Sequence, residues 1–176
     1  MIAPCTESHI PALFAVINDA ARAYRGHVPE DCLHEPYMSE AELRGEIAAG
    51  VRFFGWFEDG ELIGGMGIQD VQDVTLIRHA YVATRARRGG VGGKLLAHLL
   101  TLTDRPVLVG TWRAAGWAID FYVRHGFRLI GEAEKNRLLR RYWSIPARQI
   151  ETSVVLVGPA GGESPSHADR LFSGGV

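Results

Sequence analysis

Between Arg78 and Leu100 the chain reads RHAYVATRARRGGVGGKLLAHLL, a stretch that few folds accommodate. Ala80, Tyr81 and Val82 are apolar and β-prone. Arg85, Arg87 and Arg88 follow, and glycine fills Gly89, Gly90, Gly92 and Gly93, interrupted only by Val91. From Lys94-Leu95-Leu96 onward the apolar spacing fits a helix. Strand, basic glycine-rich turn and helix together make an anion cradle. Glycine lets backbone come close to a ligand, and the first helical N–H groups have no partner within the helix. The helix dipole, the arginines and Lys94 add positive potential at the same place. This chemistry suits a phosphate.

Two phosphate motifs are excluded by position. A Walker loop would need glycine at Arg88 and a hydroxyl at Leu95. The dinucleotide fingerprint, begun at Gly90, would have to close on a glycine where Leu95 stands. R-x-x-G-x-G does fit, as Arg87-Arg88-Gly89-Gly90-Val91-Gly92, although these six residues alone equally suit a surface turn with solvated arginines. Some way downstream, Ala118, Tyr122, Gly126 and Phe127 complete A-x-x-x-Y-x-x-x-G-F. On these two segments, in this order, the chain resembles the GNAT superfamily, the acyl-CoA-dependent N-acyltransferases.

The chain has 176 residues, of which 47% are hydrophobic, enough for one domain with a full core. Its net charge of −1 gives no global field for nucleic acid. Cys5 and Cys32 form neither a disulfide framework nor a zinc motif, and no leader or membrane-length apolar run is seen, so a soluble cytoplasmic protein is expected.

Taken in order, Ile2–Cys5 predicts a strand. Ile10, Leu13, Phe14, Ile17, Ala21 and Tyr24 predict an amphipathic helix, and residues 25–38 a loop broken by Pro29 and Pro36. Ser39 to Glu42 is a capping box opening a short helix. Strands are expected at 51–58, 61–69 and 74–82, the first two joined by the Asp59-Gly60 turn. After the glycine loop and its helix come a strand at 106–111, a helix at 115–125 closed by Gly126, a strand at 127–130, a charged helix at 132–142 and a last strand at 148–157. Residues 158–176 are rich in Gly, Pro and Ser and are expected to be a flexible tail. The order matches the GNAT fold: one α/β (α+β mixed) domain over 1–157, with a mixed, mostly antiparallel sheet of six to seven strands. Helices flank both faces, and the fourth and fifth strands splay.

The resemblance implies acetyl-CoA as co-substrate, with no metal, and a primary amine, favoured as a small molecule, as acceptor. Backbone groups of Ala80, Tyr81 and Val82 would pair with the pantetheine arm. The N–H groups from Arg88 through Gly89, Gly90, Val91, Gly92 and Gly93 to Lys94 would hold the pyrophosphate, while Arg85, Arg87 and Arg88 are candidates for the 3′-phosphate. Tyr122 would be the general acid, since a phenol can deliver a proton to a departing thiolate; the same spacing also suits a core tyrosine. The acidic base common in the family falls at Leu76, which leaves His79 as the titratable substitute on that strand, with a structural histidine as the other reading. His27, His34, Glu35 and Asp70 are further titratable candidates. An asparagine that often contacts pantetheine is replaced by Ala115. Tyr24, Arg25, His27, Tyr37, Trp112 and Arg113 are the expected acceptor contacts, and a homodimer is plausible. Leu76 and Ala115 also motivate an alternative, a non-catalytic acyl-CoA-binding or regulatory module on the same fold. A phosphate-binding scaffold with an unrelated ligand is a third.

Overall fold

Seven strands build the sheet: β1 (Ile2–Pro4), β2 (Arg52–Glu58), β3 (Glu61–Val71), β4 (Val74–Val82), β5 (Val107–Trp112), β6 (Arg128–Leu129) and β7 (Ser153–Val157). They lie in the order β1-β2-β3-β4-β5-β7-β6, with β4 and β5 parallel and helices flanking the sheet, the mixed α/β architecture expected. The computed structural model describes residues 1–159, so the expected tail lies outside the described residues from 160 on. Packing divides the chain into two units, one of residues 1–70 and 77–99, the other of 71–76 and the residues from 100 onward.

In the first unit, β1, β2 and β3 form an antiparallel meander. Asp59 and Gly60 turn β2 into β3 with φ of 49° and 81°, the double left-handed geometry of a tight hairpin. Glycines on β3 let helices approach the sheet closely. A Cβ on Gly65 would stand 2.7 Å from Leu13 of α1 (Ile10–Ala21), and one on Gly64 would stand 2.9 Å from Val91 of α3 (Val91–Leu100). Helix α2 (Glu40–Ala48) opens with the predicted reciprocal cap: Ser39 Oγ accepts from Glu42 N at 3.2 Å, and Ser39 N donates to the Glu42 carboxylate at 2.7 Å. Ile10, Leu13, Ile17, Leu43, Val51 and Phe53 are buried together in this unit's core.

In the second unit, β7 lies between β5 and β6, antiparallel to both. Helix α4 (Gly116–Arg124) ends at Gly126, left-handed at φ 84° as expected of a C-terminal cap. Helix α5 (Glu132–Tyr142) buries Leu138, Leu139 and Tyr142 against Val74, Leu76, Leu108 and Val155. The strand expected over 148–157 is corrected: α6 (Ala147–Thr152) occupies its first half, and only Ser153–Val157 pair as strand. Pro146 starts this helix by accepting from Ile150 N at 3.1 Å, and the Thr152 hydroxyl donates back to Arg148 O at 2.9 Å. Gly158 still donates to Val107 O at 2.8 Å, so pairing reaches just past β7. No described helix is long and apolar enough to cross a membrane.

Candidate functional site

The glycine loop is fastened before it begins. Beyond β4, Thr84 N donates to Asp19 Oδ2 at 2.7 Å, and this N–H is the main reason the Asp19 carboxyl is held below its ordinary range. Arg87 Nη2 donates to Ala20 O at 2.9 Å. Both bonds tie the loop's approach to the C-terminal end of α1. Arg88 and Gly90 are then left-handed, at φ 66° and 76°, while Gly89 between them is not. Alternating backbone handedness turns successive N–H groups into one concavity, an anion nest. A Cβ on Gly90 would meet nothing within 4 Å, so the loop faces open space there.

Lys94 N, bonded to Gly90 O at 3.1 Å, is the first amide to find a partner in the helical pattern of α3. The N–H groups of Val91, Gly92 and Gly93 precede it and remain at the dipole's positive end. The expected cations are divided differently from their order in the sequence. Arg85 is engaged with Glu61, Arg87 with Ala20, and Lys94 lies 4.8 Å from the centre of the Trp56 ring. Arg88 is exposed and has neither ion pair nor hydrogen bond among the described residues.

His79 occupies an unusual position within β4, with φ 51°, a left-handed residue inside a strand. Neighbouring side chains on a regular strand point to opposite faces. Here Arg78 and His79 both reach Glu46 of α2: Arg78 Nη2 stands 3.0 Å and His79 Nε2 3.3 Å from Oε2. The left-handed backbone at His79 thus accompanies an imidazole directed toward the same carboxylate as the side chain of Arg78. Phe53 lies along the ring, with centroids 5.8 Å apart and planes 27° from parallel. Arg78 also donates to Gln69 Oε1 at 2.9 Å, and Gln69 donates to Ala49 O at 2.9 Å. Burial lowers the imidazole's pKa from its usual range.

Three tyrosines meet in the same unit. Tyr24 packs on Tyr37 with centroids 5.2 Å apart, and Tyr81 lies edge-on to Tyr24 and Tyr37 at 6.5 and 6.3 Å. Burial pushes the phenols of Tyr24 and Tyr81 up, so both stay neutral. Of the expected acceptor contacts, the structure thus brings Tyr24 and Tyr37 together with Tyr81. Arg25 is instead exposed and donates through Nε to Glu35 at 3.1 Å, and His27 is exposed. Ala80 and Val82 are half-buried at the end of β4.

In the second unit, Trp112 is buried opposite Ser153 of β7. Arg113 Nη2 donates to Glu132 at 2.7 Å, which occupies the guanidinium with α5. Ala115 is fully buried and its carbonyl accepts from Ala118 and Ile119, so the position that lacks an asparagine serves the start of α4. Tyr122 is buried, its ring edge-on to Phe121 at 5.0 Å and to Phe127 at 5.3 Å.

A cavity of about 430 Å³ in the first unit, lined by Cys5, Ile10, Leu13, Ile47 and Phe53 among others, contains none of the expected site residues. Among the described residues no group of three His, Cys, Asp or Glu could hold a metal ion. Sequence reasoning missed Asp19 and Glu46. Each acts on a residue far along the chain, and neither sits in a motif.

A family model described as an acetyltransferase (GNAT) domain matches residues 19–140. No curated protein matches the chain. Among solved structures, the chain is similar to the PaiA N-acetyltransferase of Thermoplasma acidophilum in complex with coenzyme A. That similarity has 16% identity and a TM-score of 0.69 over 90% of this chain and 97% of that one. An acetyltransferase of the GNAT family from Staphylococcus aureus Mu50 is similar at 16% identity and a TM-score of 0.67, over 92% and 99% of the two chains. The ribosomal-protein-S18-alanine N-acetyltransferase of Escherichia coli is similar at 15% identity and a TM-score of 0.66, over 94% and 97%.

Proposed function

Since the chain belongs to the GNAT superfamily of acetyltransferases, we propose that it moves the acetyl group of acetyl-CoA to a primary amine of a small molecule, by direct attack in a ternary complex. The observation that carries this reading is the loop from Arg88 to Gly93. Its left-handed residues, open face and unpaired helical N–H groups fit a pyrophosphate. The N–H groups of Arg88 to Lys94 would hold that group, and the free guanidinium of Arg88 would take a further phosphate.

Acetyl-CoA supplies the acyl group and a thiol leaving group. The chain's own residues handle the protons. His79 accepts the proton that the attacking amine must lose, and burial favours the neutral imidazole needed for this. Tyr122 donates a proton to the sulfur as the carbon–sulfur bond breaks, so the products are an amide and a free thiol. The tyrosine cluster around Tyr24 and Tyr37 offers aromatic walls to the acceptor.

Calorimetric titration of acetyl-CoA into wild type, Gly90→Glu and Gly90→Asn tests the cradle. Asparagine tolerates left-handed backbone, so that variant controls for strain. Binding in wild type and Gly90→Asn, lost in Gly90→Glu, is expected, followed by thiol release with a member of a primary-amine panel. No binding to wild type overturns the reading.

A further inference from the structure

We infer that Glu46 is the positioning residue for His79, forming a carboxylate–imidazole pair that fixes the ring's tautomer and stabilises the imidazolium formed during the reaction. This rests on the acetyl-transfer reading above, and on His79 as its base. The argument begins with the backbone. A β-branched or ordinary residue is seldom left-handed inside a strand, and such outliers persist only where surroundings over-determine them. At φ 51° His79 is held by Phe53 on its face and by Glu46 on its Nε2 edge.

The contact is a closed one. Glu46 Oε2 and His79 Nε2 are both solvent-excluded and 3.3 Å apart, and neither makes a well-aligned hydrogen bond among the described residues, so each is left to satisfy the other. A buried imidazole nitrogen facing a carboxylate oxygen is the one that carries the hydrogen. That assigns the proton of neutral His79 to Nε2 and leaves the lone pair on Nδ1. The side chain as a whole retains 15% exposure.

Charge in the cluster agrees with this geometry. The charged groups against the imidazole are Glu46 of α2 and its strand neighbour Arg78. Burial alone would raise the Glu46 carboxyl, but His79 and Arg78 outweigh it and keep the group ionised. Arg78 opposes a charge on His79, and Glu46 favours it. When Nδ1 takes the amine's proton, the imidazolium thus forms beside a carboxylate already in place. The proton then leaves from Nδ1 to solvent, and the pair returns to its resting form.

Wild type, Glu46→Gln and His79→Gln separate the possibilities. With the best acceptor from a primary-amine panel, Glu46→Gln is expected to lose roughly 100-fold in kcat while acetyl-CoA affinity is unchanged. The acid limb of kcat/KM and the His79 ring titration, followed by NMR on ¹⁵N-histidine protein, should both move to lower pH. A purely structural cluster would lower stability and leave the pH profile in place. If His79→Gln abolishes turnover but Glu46→Gln preserves kcat and the acid limb, the role of Glu46 is overturned and the base survives. Full turnover in His79→Gln overturns the base itself. The wild-type ring provides a check that needs no variant: ¹⁵N shifts showing the proton on Nδ1 would overturn the assignment.

Discussion

The carbonyl oxygen of Arg78 stands 3.0 Å from the point where a Cβ on Gly67 would lie, and Val51 Cγ1 stands 2.7 Å from the same point. Gly67 thus makes room for the displaced strand backbone just before His79. Gly67→Ala is expected to destabilise the protein by about 1–3 kcal/mol, the cost of overpacking a closed core. Urea unfolding measures it; an unchanged midpoint would show that the strand relaxes freely.

Arg87 and Arg88 are adjacent but differ in task. Arg87→Ala removes the bond to Ala20 O and is expected to cost about 1 kcal/mol of stability. Arg88→Ala leaves stability within about 0.5 kcal/mol, yet weakens acetyl-CoA binding by about 10-fold. Thermal melts and calorimetry on both variants check the division.

Lys135 is a fully buried lysine, its ammonium donating to Glu132 at 2.7 Å and to Ile150 O at 2.8 Å. Replacing a buried cation by an apolar side chain of similar length is tolerated far better than stranding it. Lys135→Met is therefore expected to shift stability by only about 1 kcal/mol. Glu132→Ala, which leaves the buried ammonium with only the Ile150 carbonyl and no counter-charge, should melt at a lower temperature than Lys135→Met.

Acid stability follows from the same pair proposed as a base. His79 sits below its ordinary 6.5 in the folded protein, so below that pH the unfolded chain binds a proton that the folded one refuses. Stability then falls as pH drops below about 6.5. Glu46, held below 4.5, contributes stability that is intact above that value and is lost as pH falls through its folded pKa. Melting temperature against pH should decline in these two stages, and His79→Gln should remove the upper one.

What could be read from the chain was local chemistry. Asp59-Gly60, the Ser39–Glu42 box and the Arg87–Gly92 segment each specify geometry within a few residues, and all three appear as expected. Helix α6 was hidden because Ile150 sits beside the branched run Val154-Val155, which favours a strand. Pro146 and the Thr152 hydroxyl decide otherwise, but only in three dimensions. In the candidate site the glycine turn between strand and helix was legible, whereas the contacts of its arginines were not, since Glu61 and Ala20 arrive from other elements. Strand alternation could not orient His79, because its left-handed backbone leaves no mark in composition, and Glu46 lies on a helix distant in sequence.

The hooks from Asp19 to Thr84 and from Arg87 to Ala20 have a consequence in time. They hold the approach to Arg88 and Gly90 by protein contacts alone, so no segment there must order itself around an arriving molecule. Association should run as one bimolecular phase whose observed rate climbs linearly with acetyl-CoA concentration. In stopped-flow tryptophan fluorescence, with Trp56 beneath Lys94 as a reporter, no plateau is expected. Asp19→Ala, which unfastens Thr84, should introduce the saturation typical of a slow closing step ahead of tight capture.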